Sequence, residues 1–223
     1  MEKTLEPVLL SCPLFRGIRA EELGTMLDCL GAVSVRYRKG QTIWQEGRAV
    51  HQVGVICSGR VLILREDFWG DRSIQGQAGP GDLFGEAYAC GDEPLGVTVQ
   101  AAEDSQILFL DTERVLGTCS SACPFHLRLV RDLVDVLAAK DRMLSRKIDH
   151  LSQRGIRRKV LSYLSWQARQ AGDSRFTIPF DRQGMADYLS VDRSALSQEL
   201  SRMKREGLLD FYKNQFQLKG NGA

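Results

Sequence analysis

Two kinds of hydrophobic periodicity divide the chain near residue 124. Upstream, short apolar or β-branched runs recur at Val33–Tyr37, Gln52–Cys57, Arg60–Leu64 and Ser105–Leu110. Gly40, Gly47, Ser58-Gly59 and Gly79-Pro80-Gly81 punctuate them. Such runs between turn residues read as strands, and several at roughly ten-residue spacing predict an antiparallel sandwich or barrel. Twelve of the 21 glycines fall between residues 31 and 100, where turns must be dense.

From Pro124 the period becomes helical. Val130, Leu133, Leu137, Leu144, Ile148 and Leu151 recur at intervals of three, four or seven, with Arg128, Asp132, Asp135, Asp141 and Arg146 between them. The stripe is narrow for so long a helix, which favours a coiled-coil seam to a second subunit over burial in one small domain. Pro124 suits the first turn and Gly155 a stop. Val160, Leu161, Leu164 and Ala168 then predict a helix over 156–171, closed by Gly172-Asp173. Asp181 can cap a helix containing Met185, Ala186 and Leu189; Ser190-Val191-Asp192 reads as a turn, and a further helix runs from Arg193 to about Glu206. Leu208–Phe211 and Phe216–Leu218 predict a small hairpin, or wing. The whole reads as α+β.

Composition adds bounds. With 223 residues, 43% hydrophobic and 26% charged, the chain matches ordinary globular proteins. No apolar run approaches the ~18 residues of a membrane span, and the acidic N-terminus lacks signal-peptide character, so no membrane partner and a cytoplasmic location are expected. Six scattered cysteines fit reduced thiols. The net charge of +2 conceals an asymmetry: residues 1–151 carry 17 basic and 21 acidic groups, residues 152–223 carry 13 and 7. A basic segment on an acidic body suits a nucleic-acid-binding domain attached to a non-binding one.

The helix–turn–helix at 181–206 is the most specific feature. Ala186 is small where the helices must approach, and Met185, Leu189, Val191, Leu196, Leu200 and Met203 supply apolar contacts. The other face of the second helix presents Arg193, Ser194, Ser197 and Gln198, groups able to read base edges in a major groove. Arg182, Arg202, Lys204, Arg205 and Lys213 are candidate phosphate contacts, which fix register without reading sequence.

Four ordered motifs complete the picture: Lys39-Gly40-Gln41-Thr42-Ile43 with Glu46-Gly47, Ile56-Cys57-Ser58-Gly59-Arg60-Val61, Gly79-Pro80-Gly81-Asp82-Leu83-Phe84-Gly85-Glu86, and the 181–207 unit. Together they resemble the catabolite-activator/FNR (Crp/Fnr) family of bacterial transcription regulators. The resemblance implies a homodimer with a jelly-roll sensor domain over 1–123, a dimerisation helix over 124–151 and a winged helix-turn-helix over 152–223. It also implies a double-stranded DNA operator and RNA polymerase as partners. Where the family often has Glu and Arg on the recognition helix, this chain has Ser194 and Gln198, so its operator should differ from the best-known sites.

The family's cyclic-nucleotide pocket joins a Gly-Glu pair to an Arg-Ser or Arg-Thr pair that meets the phosphate. Gly85-Glu86-Ala87 preserves the first half, but the expected cationic pair falls on Leu95-Gly96, followed by Val97-Thr98. Neither replacement neutralises a phosphate, so an effector other than cyclic AMP is expected. The cofactor stays unknown. An iron–sulfur cluster needs four converging thiolates, and the N-terminal region offers Cys12 alone with Cys29 a full helix away. Cys119 and Cys123 are redox candidates, and haem ligation by His51, His126 or His150 stays open as an alternative. No Walker loop, zinc-spaced His/Cys set or nucleophile elbow is present, so neither an enzyme nor a metal site is expected.

Overall fold

The computed structural model describes residues 5–70, 72–91, 93–117 and 126–219. Two compact units result, one ending at Ala139 and one beginning at Lys140. The boundary falls inside a single helix, α5 (His126–Leu151), numbered after the four helices that precede it.

The first unit is built on two four-stranded antiparallel sheets. One has the order β1 (Val33–Tyr37), β8 (Ser105–Asp111), β3 (Gln52–Ser58), β6 (Leu83–Phe84); the other β2 (Thr42–Trp44), β7 (Thr98–Ala101), β4 (Val61–Glu66), β5 (Arg72–Ala78). Val53 to Cys57 are buried without interruption, which a strand achieves only when both its faces are covered. Helices α1 (Glu6–Ser11) and α3 (Glu86–Ala89) pack against β3. Leu9 of α1, Leu23 and Leu27 of α2 (Ala20–Cys29), and Leu129, Leu133 and Val136 of α5 join one core with Val55, Val61, Ile107 and Phe109. A short helix α4 (Thr112–Leu116) follows β8, its start capped by Asp111.

The four strand runs anticipated from hydrophobicity correspond to β1, β3, β4 and β8. The others carry weaker signals: β5 is almost wholly exposed at a sheet edge, and β2 and β6 span three and two residues. Leu133 departs from expectation. At 2% exposure it belongs to the core of its own domain and not to a seam. Cys119, Cys123 and Pro124 lie outside the described residues.

The second unit contains α6 (Gly155–Ala171), β9 (Arg175–Thr177), α7 (Arg182–Leu189), α8 (Arg193–Arg205) and the hairpin β10 (Leu209–Tyr212) and β11 (Gln215–Leu218). Gly155 opens α6 instead of stopping α5, which ends at Leu151. The expected wing gains a third strand, since β11 pairs with both β10 and β9. Among the described residues no helix is long and apolar enough to cross a membrane.

Two glycines separate necessity from tolerance. Gly59, in the turn between β3 and β4, has φ +81°, and a Cβ there would lie 2.5 Å from the Asp104 carbonyl oxygen. Gly24 sits inside α2, where an added Cβ would meet nothing within 4 Å. Gly59→Ala should therefore cost at least ~1–3 kcal/mol, while Gly24→Ala should add roughly 0.5–1 kcal/mol, as read from urea unfolding midpoints.

Candidate nucleic-acid interface

Asp181 and Asp192 start the two helices of the turn unit. Each has extended backbone, and its carboxylate accepts from an N–H three residues on, Gly184 at 2.7 Å and Ala195 at 2.8 Å. Such a cap satisfies a donor that the helix leaves orphaned and contributes about 1 kcal/mol. The Ser194 hydroxyl also donates to Asp192; together with the Ala195 N–H it holds the Asp192 carboxyl below its ordinary range. Ser190 closes α7 in the left-handed conformation, φ 49°, and the Val191 N–H reaches the Ala186 carbonyl at 3.0 Å. Met185, Ala186 and Leu189 of α7 and Leu196, Leu200 and Met203 of α8 are fully buried in the same core. Burial of that face leaves the other face of α8 outward.

Arg193, Ser194, Gln198, Arg202 and Arg205 are exposed there, with Ser197 half-buried. The Ser194 donor is spent on Asp192, and the Ser197 hydroxyl donates to the Arg193 carbonyl at 2.9 Å. Each serine is left mainly as an acceptor, suited to the amino groups of cytosine or adenine. Of the residues expected to read bases, Arg193 and Gln198 are exposed with no side-chain hydrogen-bond or ion-pair partner among the described residues.

The expected phosphate contacts divide into two groups. Arg202 Nε donates to Glu206 at 3.1 Å and Lys204 Nζ lies 2.5 Å from Asp210, so each would exchange a carboxylate for a phosphate. Exposed pairs of this kind contribute at most about 1 kcal/mol, so the exchange is cheap. Arg205 has no ion-pair partner among the described residues, and Lys213 stands exposed at the wing turn with φ +54°. Arg182 is half-buried, its guanidinium 4.9 Å from the Phe211 ring centroid and 5.9 Å from that of Phe216. Burial, and then the charge of Arg193, lower its pKa. It joins α7 to the wing as a packing element while also lining one groove with Arg193, Lys213 and Asn214.

One contributor gave no sequence signal. Arg157 of α6 reaches Glu199 at 2.5 Å and Glu206 at 2.8 Å, partners 42 and 49 positions away, and so pins α8 from its inner side. The bonds to Glu206 and Glu199 raise the Arg157 pKa, and the first of them lowers that of Glu206.

In the first unit, Gly85 caps α3 at φ +83°, with the Trp44 ring occupying the space that a Cβ would need. Trp44, Phe84 and Phe109 cluster with centroids 4.9, 5.4 and 6.4 Å apart. Glu86 is buried and Ala87 exposed; Leu95 is buried in the core, its carbonyl accepting from Gly47 N–H at 2.7 Å and its N–H donating to the Arg48 carbonyl at 2.9 Å. Gly96 faces the Tyr88 hydroxyl, Val97 is half-buried, and the Thr98 hydroxyl accepts from Glu46 N–H at 3.2 Å. The Cys57 thiol is pushed up to about 11 by burial, which keeps it from acting as a thiolate. Among the described residues no group of three or more His, Cys, Asp or Glu converges as a metal site.

Residues 34–122 match the family described as cyclic nucleotide-binding domain, and residues 158–219 match the Crp-like helix-turn-helix domain. The chain belongs to the Crp/Fnr family of DNA-binding transcription regulators. Its relatives include the cyclic AMP receptor protein of Thermus thermophilus, 27% identical over 198 residues that cover 88% of each chain. The transcriptional activator protein FnrA of Stutzerimonas stutzeri is 24% identical over 192 residues, covering 82% of this chain and 77% of its own. Among solved structures, CprK complexed with OCPA shares the fold with a TM-score of 0.65 at 14% identity, covering 89% of each chain. The catabolite activator protein of Thermus thermophilus does so with a TM-score of 0.55 at 24% identity, covering 93% of each. This Crp/Fnr protein is therefore a regulator and not an enzyme.

The division between readers and phosphate contacts is open to measurement. Gln198→Ala should cost about 1–3 kcal/mol on the preferred operator and relax choice at one position per half-site. Lys213→Ala should weaken all sequences alike and reduce the salt slope by about one, as fluorescence anisotropy titrations at several salt concentrations would show.

Proposed function

We propose that the protein acts as a homodimer reading a near-palindromic operator, its half-site centres about one helical turn, ~10 bp, apart, under an effector other than cyclic AMP. The dimer rests on one observation. Along α5, Leu127, Val130, Val134, Leu137, Leu144, Ile148 and Leu151 share a strict three–four register, broken only where Asp141 takes a seam position. Val134 and Ile148 are 57% and 64% exposed in the single chain, and Leu127 and Leu144 are exposed as well. An apolar seam of this period is what a second helix covers, and a polar seam residue helps specify register. Two copies related by a two-fold axis would present two α8 helices to successive major grooves, and RNA polymerase contact follows from family membership alone.

The effector reading rests on Leu95. A cyclic phosphate entering a partly buried site needs a cation or several donors, whereas Leu95 contributes an apolar side chain and two backbone groups already paired. The aromatic cluster of Trp44, Phe84 and Phe109 favours an apolar signal. The relative described as a cyclic AMP receptor thus differs from this chain in what is expected to switch it.

Val134→Glu should yield monomers by sedimentation velocity and abolish operator binding while leaving the roll folded. Leu133→Ala should instead lower stability by about 2–5 kcal/mol, since it empties a core site. Calorimetric titration with cyclic AMP should show no low-micromolar binding; such binding with raised operator affinity would overturn the effector reading.

A further inference from the structure

His150, in the last turn of α5, is buried at 4% exposure among aromatic rings of two other helices. Its ring lies 5.8 Å from Tyr163 at 87°, and 6.2 Å from both Trp166 and Tyr188. Tyr163 and Trp166 belong to α6, and Tyr188 to α7, the first helix of the helix-turn-helix. Nδ1 is 2.8 Å from the Ser162 hydroxyl, whereas Nε2 is buried with no hydrogen-bond partner among the described residues.

Either neutral tautomer fits this arrangement, because a serine hydroxyl can donate to Nδ1 or accept from it. An imidazolium does not. Both nitrogens would then carry protons, the one on Nε2 would face no acceptor, and the charge would sit in a desolvated box. Two of the three rings already hold cations: Arg146 lies 5.2 Å from the Trp166 centroid and Lys147 5.7 Å from that of Tyr188. Of the charged groups facing the ring, Asp149 on α5 favours protonation, whereas Arg146 and Lys147 on α5 and Arg169 on α6 oppose it. The phenols are neutral, Tyr163 being pushed up to about 12 by burial.

We propose that His150 is a proton-operated latch: neutral, it holds the end of α5 against α6 and α7, and protonated, it must leave the box and loosen that joint. Burial, the largest cause, places the His150 pKa below its ordinary value of 6.5. The unfolded or unlatched state therefore takes up the proton first. The latch is at full strength above pH 6.5 and is lost progressively as pH falls below it. Its effect on DNA rests on the reading of α8 and the wing as the operator interface, so operator affinity should fall on acidification.

The test uses the full-length protein between about pH 7.5 and 5.5 at constant ionic strength. Proton NMR should show one histidine resonance, missing in His150→Gln, titrating below 6.5, and amide protection at residues 146–154, taken relative to the intrinsic exchange rate at each pH, should fall as it does. Operator affinity of the wild type should drop severalfold over this range, and His150→Gln should flatten the drop whatever its affinity at neutral pH. If His150→Gln does not fold, the wild-type NMR titration and exchange decide alone. A His150 resonance titrating at or above 6.5, or acid-induced loosening that persists unchanged in His150→Gln, would overturn the latch. Loosening that follows the resonance in a protein that binds no DNA at any pH would leave the latch standing and refute the operator reading.

Discussion

The constraint on which the architecture turns is that α5 carries apolar residues on more than one face, and its own chain buries only part of them. At about 3.6 residues per turn, the positions of Leu129, Leu133 and Val136 face one way and those of Leu127 and Val134 another, while Leu144 and Ile148 add further exposed apolar positions along the helix. The first group enters the core of the roll, and the second stays exposed. Covering the second set removes several large side chains from water, each worth about 1.5–3 kcal/mol when fully buried. The proposed dimer is an arrangement in which α5 satisfies both faces. His150 lies in the last turn of the same helix, so that turn is tied by packing to α6 and to α7, the first helix of the helix-turn-helix.

On that surface, stability and recognition use different sides of α8. The inward side has Leu196, Leu200 and Met203 in the core and Glu199 held by Arg157. The outward side keeps Arg193, Gln198 and Arg205 uncommitted, whereas Arg202 and Lys204 are balanced by acids. Fixed helix position with a few free donors is the combination that direct readout requires, because a bidentate pair to a base edge tolerates little misplacement. The capping aspartates make the helix starts definite, and Asp192 does so while taking up the Ser194 donor.

The roll retains the outline of a nucleotide-binding domain, with Gly85 and Glu86 at the start of α3. The effector proposed for it differs, because by the family resemblance the apolar Leu95 falls where relatives meet a phosphate. Fold and effector are thus separable: antiparallel pairing and the β3 core preserve the first, and a handful of side chains determine the second.

Much of this organisation is legible in the sequence because it rests on local periodicity and turn chemistry. Alternating and continuous apolar runs identify β1, β3, β4 and β8, the capping aspartates and apolar spacing identify the helix-turn-helix, and the ordered motifs identify the family. Strand β5 is hidden because its exposed residues carry no apolar alternation, and β9 because its short run gives too little of a period. The division of α5 into a core face and a seam face belongs to the tertiary structure. Leu133 and Val134 are both apolar neighbours, and only the position of the roll determines which is buried. The Arg157 clamp and the box around His150 are likewise invisible to any local reading, since their members lie 12 to 49 residues apart. Local pattern thus indicates most of the elements and marks out the helix-turn-helix. Which side chains are already committed to one another is settled in three dimensions, because commitment depends on distances between segments that no local pattern records.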